Sequence, residues 1–235
     1  AVLLAAGRGT RLGSLSRRTP KPMLEIAGKP ILQHNIELCR KHGITDLFIN
    51  TSHLARRIRD FLGDGAKFGV SVQYSYEPEL LGTAGALNNF REELQKAPFF
   101  VIYADNYSDF NLTEILRFHE KKLGIATIAL YAKEDVSMSG IAVLDRDQRV
   151  IRFIEKPNTH EQESNFVNAG IYVLSPRVFS YIPAGFSDFG RDVFPTLLSN
   201  GEEVFGIVMQ GRFLAADTED LYKVALQDTH THEQS

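Results

Sequence analysis

Cysteine occurs once in the 235 residues, at Cys39. A single thiol excludes an internal disulfide framework, and its place in an apolar helical pattern reads as core packing in a reducing, cytoplasmic compartment. Long hydrophobic runs are missing too. None approaches the ~20 residues of a membrane-spanning helix, so no membrane partner is expected. A large excess of either charge is missing as well: 26 Lys and Arg stand against 29 Asp and Glu, a formal net charge of −3, which gives no basis for binding nucleic acid or anionic lipid. No repeat, low-complexity tract or Pro/Gly/Ser-rich linker divides the sequence, and 43% hydrophobic content is enough for a sizeable core. Residues 1–228 are therefore read as one domain, with THTHEQS (229–235) as a polar tail. The opening AVLLAA lacks the charged segment and length of a secretory signal. It reads as a buried strand already under way in a chain that lacks its first few residues.

What is present begins with alternation. Apolar strands are expected at 1–6, 46–52, 70–77 and 97–106. Helical patterns separate them: Pro30 opens one that carries Ile31, Leu32, Ile36 and Cys39 on one face and stops at Gly43, and others cover 53–65 and 83–95. Asn111 with Glu114 is a capping box for the helix that ends at Gly124. Beyond it the strands come in succession, 125–133, 139–145 and 149–155, the last two as a hairpin, then 168–175, 203–209 and 212–216, with a closing helix at 217–228. The pattern predicts an α/β fold, a Rossmann-like mixed, mostly parallel sheet with helices on both faces.

LAAGRGTRLGSLSRRTPKPML (3–23) follows the first strand, at the carboxyl edge where open parallel sheets bind ligands. Gly7 and Gly9 let backbone amides approach a phosphate, Arg11 can grip it with two parallel N–H bonds, and Lys21 serves as a mobile point charge on a backbone held extended by Pro20 and Pro22. Gly13 is not spaced as a third Rossmann glycine and no G-K-[ST] occurs, so on these residues alone a solvated basic loop is equally open.

The larger pattern is more specific. LAAGRGTRL followed by TPKPMLEIAGKPIL, then ELLGTAGAL, YADN, IEKP and VNAGIYVLSP in that order, strongly resembles the sugar-1-phosphate nucleotidyltransferases, with KPMLEIAGKPIL and GTAGAL closest in appearance to mannose- and heptose-1-phosphate guanylyltransferases. That resemblance implies the nucleotide-diphospho-sugar transferase fold and Mg2+-dependent transfer of a nucleotidyl group from a nucleoside triphosphate to a sugar 1-phosphate, with pyrophosphate released. It implies roles by position: Arg11, Lys21 and Asp105 as catalytic residues; Leu3, Ala5, Ala6, Gly7, Gly9, Gly82, Thr83 and Gly85 along the nucleotide; Gly140, Glu155, Lys156 and Asn168, with Gly170, on the sugar phosphate. A sugar phosphate is already an anionic nucleophile, so the lack of a Ser/His/Asp-type signature is no obstacle; such transfers depend on positioning and charge neutralisation. Alternatives are a uridylyl-, thymidylyl- or cytidylyltransferase on another sugar or alcohol phosphate, or a regulatory subunit that binds nucleotide without chemistry. Oligomerisation is left open.

Bland readings stand beside these roles. Asp105 also suits an Asx-turn or helix cap, Thr83 a helix N-cap, Glu155–Lys156 a surface ion pair, and Asn168 a bulge or turn. The seven histidines show no metal-ligand spacing. The family usually closes its catalytic set with an aspartate in D-x-G-T-P-E-D, and the counterpart here is RFLAADTEDL, which puts Leu214 or, with a one-residue gap, Ala215 at that place. Asp217 is the nearest carboxylate. With Asp105 as the first metal ligand, at a strand's carboxyl end where a hard carboxylate suits Mg2+, Asp217 is taken as the second, with the N-cap of the closing helix as its other reading.

Overall fold

The computed structural model describes residues 1–158 and 162–232, the last five of these by backbone alone. The fold is α/β, on a mixed, mostly parallel central sheet with helices. The chain divides into two compact units, each discontinuous in sequence: Ala1–Leu80 with Ile102–Phe110 and Gly211–Ser235, and Leu81–Val101 with Asn111–Gln210.

In the first unit Val2–Leu4, Asp46–Thr51 and Ser71–Tyr76 form a parallel ladder in which Leu3 pairs with Ile49 and Ile49 with Tyr74. Val2 and Leu3 are fully buried, as a strand covered on both faces requires. The helix Ile31–Lys41 opens directly after Pro30 and buries Ile31, Leu32, Asn35, Ile36, Leu38 and Cys39. Burial pushes the Cys39 thiol up to about 12. The helix ends in a Schellman turn, with Ile44 N donating to Cys39 O, Gly43 N to Arg40 O, and Gly43 at φ +75°. Two short antiparallel pieces complete this unit. Asn106–Ser108 pairs with Phe213–Ala215, setting Ala215 opposite Asn106, and Glu25–Ile26 pairs with Lys29–Pro30.

In the second unit Ala126–Ala132 lies between Phe166–Leu174, antiparallel, and Val204–Val208, parallel. Gly140–Leu144 and Val150–Glu155 form the expected hairpin. Asn111 Oδ1 accepts from Glu114 N to cap Leu112–Lys122. The stretch expected as one helix at 83–95 is instead three short pieces, Gly82–Gly85, Ala86–Phe90 and Arg91–Leu94, the middle one 3-10. The amides of Ala84 and Gly85 both donate to Ser187 O, a partner from outside the helix. Farther along, a π-helical turn, Phe189–Val193, runs straight into the α-helix Phe194–Ser199.

The closing helix runs Glu219–His232, into the stretch expected as a tail; 233–235 lie outside the described residues. Among the described residues no helix is long and apolar enough to cross a membrane.

Candidate functional site

In the first unit the loop after Val2–Leu4 is pinned by apolar contacts and shaped by glycine. Leu12 is fully buried in a cluster with Leu24, Ile26, Ile31, Ala216 and Ala225. Gly9 has φ +60°, and a Cβ there would crowd Ser16 and Lys21 at 3.3 and 3.4 Å. This turn holds Arg11 within 3.5 Å of Asp217. Lys21 does not lie on extended backbone. It starts a 3-10 turn, Lys21–Met23, closed by Met23 N donating to Pro20 O and Leu24 N to Lys21 O; Pro22, with its fixed φ and no N–H to satisfy, suits that first turn. Nor is its side chain a mobile point charge in solvent, since it is only 6% exposed. Its Nζ donates to Asp105 Oδ2 at 2.6 Å and to Asp217 Oδ1 at 2.5 Å. Burial pulls the ammonium pKa down, but attraction to Asp105 and then Asp217, with both hydrogen bonds, outweighs it and the pKa is raised.

The elements that supply the two carboxylates explain their meeting. Asp105 follows the buried strand Phe99–Tyr103. Asn35, buried on the Ile31–Lys41 helix, donates through Nδ2 to Asn106 O at 3.0 Å and Ala104 O at 3.4 Å, clasping the carbonyls on either side of Asp105. Asp217 arrives from Phe213–Ala215, whose pairing with Asn106–Ser108 brings it beside Asp105. The N-cap bond of the closing helix belongs to Thr218, whose Oγ1 accepts from Leu221 N, so the carboxylate one residue earlier turns to Lys21. The remaining first-unit candidates are backbone-like. Leu3 sits in the ladder, Ala5 N donates to Asn50 Oδ1 at 2.8 Å, Ala6 is buried, and Gly7 faces open space. Among the described residues no group of three or more His, Cys, Asp or Glu could hold a metal; the acidic donor set here is the pair Asp105 and Asp217.

In the second unit the candidates are set by backbone shape. Glu155 ends its strand two residues after Phe153, whose ring is tilted against that of Phe194, itself packed with Tyr172 and Phe189. Its carboxylate lies in a bay kept clear by two glycines: a Cβ on Gly140 would meet Glu155 Oε2 at 2.7 Å, and one on Gly190 at 2.6 Å. Gly190 belongs to the π-helical turn, an irregularity often found at functional sites. Lys156 is exposed and left-handed, at φ +53°, with its N–H on Ser139 O. Asn168 sits at a break in the register of Phe166–Leu174. It donates to Tyr172 Oη at 2.7 Å and accepts from Gly170 N, with Gly170 at φ +69°. Gly82 and Gly85 have backbone neighbours of their own, since a Cβ on either would collide with the Ser187 or Gly185 carbonyl. Thr83 Oγ1 donates to Asp188 Oδ2 and accepts from Phe189 N, each at 2.9 Å.

The nucleotidyl transferase family model matches residues 1–229. The chain belongs to that family. It is 37% identical over 226 residues to a UTP–glucose-1-phosphate uridylyltransferase from Synechocystis, covering 89% of this chain and 58% of that protein. To the mannose-1-phosphate guanylyltransferase catalytic subunit beta of Danio rerio it is 34% identical, covering 90% and 59%. The chain thus spans a little under three fifths of the length of these relatives. Among solved structures, HddC from Yersinia pseudotuberculosis complexed with GMP-PN superposes with TM-score 0.81 at 27% identity, covering 97% of each chain.

In this chain, four residues near the candidates are not among those the sequence motifs point to. Asn35 is the clearest. An amide on the face that also carries Ile31, Leu32, Ile36 and Cys39 was its signal, since a buried polar side chain needs specific partners. Asn50, buried in the ladder, joins Ala5 to Glu77, accepting from Ala5 N and donating to Glu77 Oε1 at 2.9 Å. Gly190 and the exposed Arg191 lie in the π-helical turn beside Glu155; no periodicity marks such a turn.

Proposed function

We propose that this chain transfers a nucleotidyl group from a nucleoside triphosphate to a sugar 1-phosphate and releases pyrophosphate, residues 1–228 acting as one catalytic domain. The observation that carries the reading is the ion cluster of Lys21 and Arg11 on Asp105 and Asp217. Such a cluster stores two cations beside a glycine-shaped loop, ready for phosphate oxygens, and two hard oxygen donors of the kind Mg2+ takes. The donor set fits the ion: Asp105 and Asp217 already converge on a single positive centre, and they would hold the metal. When bound, Mg2+ would neutralise charge on the phosphates.

The residues' work follows from charge. The nucleophile is a phosphate oxygen that needs no deprotonation, so the protein supplies orientation and positive charge. Arg11 and Lys21 would neutralise the departing pyrophosphate, with Gly7 and Gly9 leaving room for its approach to the backbone. Glu155 would accept from sugar hydroxyls, Asn168 would bond the same ring, and Lys156 would meet the sugar's phosphate. For Leu3, Ala5, Ala6, Gly82, Thr83 and Gly85 the proposed part is to shape the nucleoside's surroundings. The finer reading is guanylyl transfer to mannose or heptose 1-phosphate, which the guanylyltransferase relatives and the GMP-PN complex of HddC support. Uridylyl transfer to glucose 1-phosphate is the second reading, favoured by the 37% identity to a uridylyltransferase.

Pyrophosphate release measured with GTP, UTP, dTTP and CTP against mannose, heptose and glucose 1-phosphates tests all of this. The expected result is one strongly preferred pair, dependent on Mg2+. No release from any pair would overturn the catalytic reading and leave a nucleotide-binding subunit.

A further inference from the structure

We infer that Lys21 is the resident cation of the Asp105–Asp217 pair and competes with a divalent ion for it, so that free metal does not load the site while the ammonium is in place. The inference rests on the reading that these two carboxylates hold the metal. Three observations support it. First, one Nζ bonds an oxygen of each aspartate, at 2.6 and 2.5 Å, so the ammonium and any ion bridging the pair would draw on the same oxygens. Second, the cluster is already neutral in count: Lys21 and Arg11 are its cations and Asp105 and Asp217 its anions. A divalent ion added to it meets repulsion from an ammonium within hydrogen-bond distance of the oxygens it needs, and that repulsion is strong where water is scarce. Third, the lysine side chain is the buried member, 6% exposed against 28% and 33% for Asp105 and Asp217. The carboxylates are therefore wet on their outer sides while their shared inner side is taken. A polyanion offering Lys21 new oxygens would vacate that side, and the ion would enter with the phosphates.

The test uses Mn2+ alone, without nucleotide or sugar phosphate, so it reads binding whether or not the chain is an active transferase. Mn2+ affinity, from the electron paramagnetic resonance of free Mn2+, and melting temperature with and without the ion are measured for wild type, Lys21→Met and Lys21→Met/Asp105→Asn. Methionine keeps the length and apolar stem of the lysine and drops its charge. Lys21→Met is expected to bind Mn2+ at least about tenfold more tightly than wild type, as removal of a like charge from shared ligands requires. It should melt lower than wild type in chelator and recover with Mn2+, and both effects should vanish in the double variant. Equal affinity in wild type and Lys21→Met would overturn the competition while leaving the two carboxylates as a metal site. No Mn2+ binding by either protein would overturn the inference together with the metal role of the pair. If Lys21→Met folds only with Mn2+, the inference is upheld in its strongest form. If it folds under neither condition, Lys21→Gln, which keeps a neutral hydrogen-bond donor for the two aspartates, takes its place in the same titrations, and tighter Mn2+ binding than wild type upholds the inference while equal or absent binding overturns it.

Discussion

The two units prepare their candidate residues by different means. In the first, Arg11, Lys21, Asp105 and Asp217 are held by one another's charge, over a small apolar cluster that fixes the loop. In the second, Glu155, Lys156 and Asn168 are held by irregular backbone: two glycine clearings, a left-handed lysine, a register break and a π-helical turn. The difference suits the proposed ligands. Groups that would meet polyphosphate and metal are stored neutralised, because an unpaired charge out of water is costly. Glu155 and Asn168, which would read uncharged hydroxyls, need direction more than charge, and backbone shape supplies it; Lys156, which would meet the sugar's phosphate, is exposed and keeps its charge in water.

The comparison breaks most visibly at Lys21. Lys21→Ala should lower turnover about 100- to 1000-fold, the scale for losing one preorganised charge-stabilising donor. It should also cost about 1–3 kcal/mol of stability by urea denaturation, a figure below that of a fully buried pair because the carboxylates are partly exposed. An exposed basic loop would show the kinetic loss without the second. The raised pKa of Lys21 fixes the sign with pH. The stability it contributes is fully present below its unfolded pKa and is lost only as pH rises through the higher folded value, so the gap between wild type and Lys21→Met should hold from about pH 7 to about pH 9 and close under stronger alkali. A gap that shrinks across that neutral range would put another group in control.

Asp217→Asn should remove most Mg2+-dependent turnover and leave helix capping intact, since the cap is Thr218. Thr218→Ala should do the reverse, costing about 1 kcal/mol in melting measurements. In the second unit, Gly85→Ala drives a Cβ into a backbone carbonyl that cannot give way, and should cost about 1–3 kcal/mol, as overpacking does. Gly190→Ala presses on the mobile end of Glu155 instead. It should leave melting nearly unchanged and raise the KM for sugar phosphate about tenfold, the effect of a small misplacement. The smallest effect is expected at Lys156→Gly, where relief of the left-handed backbone raises stability by about 1 kcal/mol while turnover falls. If stability does not rise, that conformation carries no strain.

Much of the fold was legible because apolar period survives burial. The 46–52 and 70–77 strands and the helix from Pro30 to Gly43 are all found where their patterns put them, and the capping bond from Asn111 to Glu114 is there too. The 83–95 helix failed because its amides bond to Ser187, about a hundred residues on, which no local pattern reports. The division into two units was invisible for a related reason. The chain crosses between them within ordinary apolar and polar sequence, with no linker at the crossings. Motif resemblance singled out Asp105 and Lys21 but could not show that they touch. The register of Asp217 stayed ambiguous because it depends on three-residue strands, Asn106–Ser108 and Phe213–Ala215, too short to leave a periodic signature.

The contact between Lys21 and Asp217 closes 196 residues of chain, and that span has a consequence for biogenesis. A chain made from its amino end exposes Lys21 early and Asp105 midway, while Asp217 leaves the ribosome only after nearly all else described here. Until then Lys21 has one of its two carboxylates and the Phe213–Ala215 strand has not paired, so the ion cluster forms only after residue 217 is made. A nascent chain paused before residue 217 would carry an incomplete charge set, and proteolysis of stalled intermediates would find the 7–23 loop protected only once residue 217 has emerged.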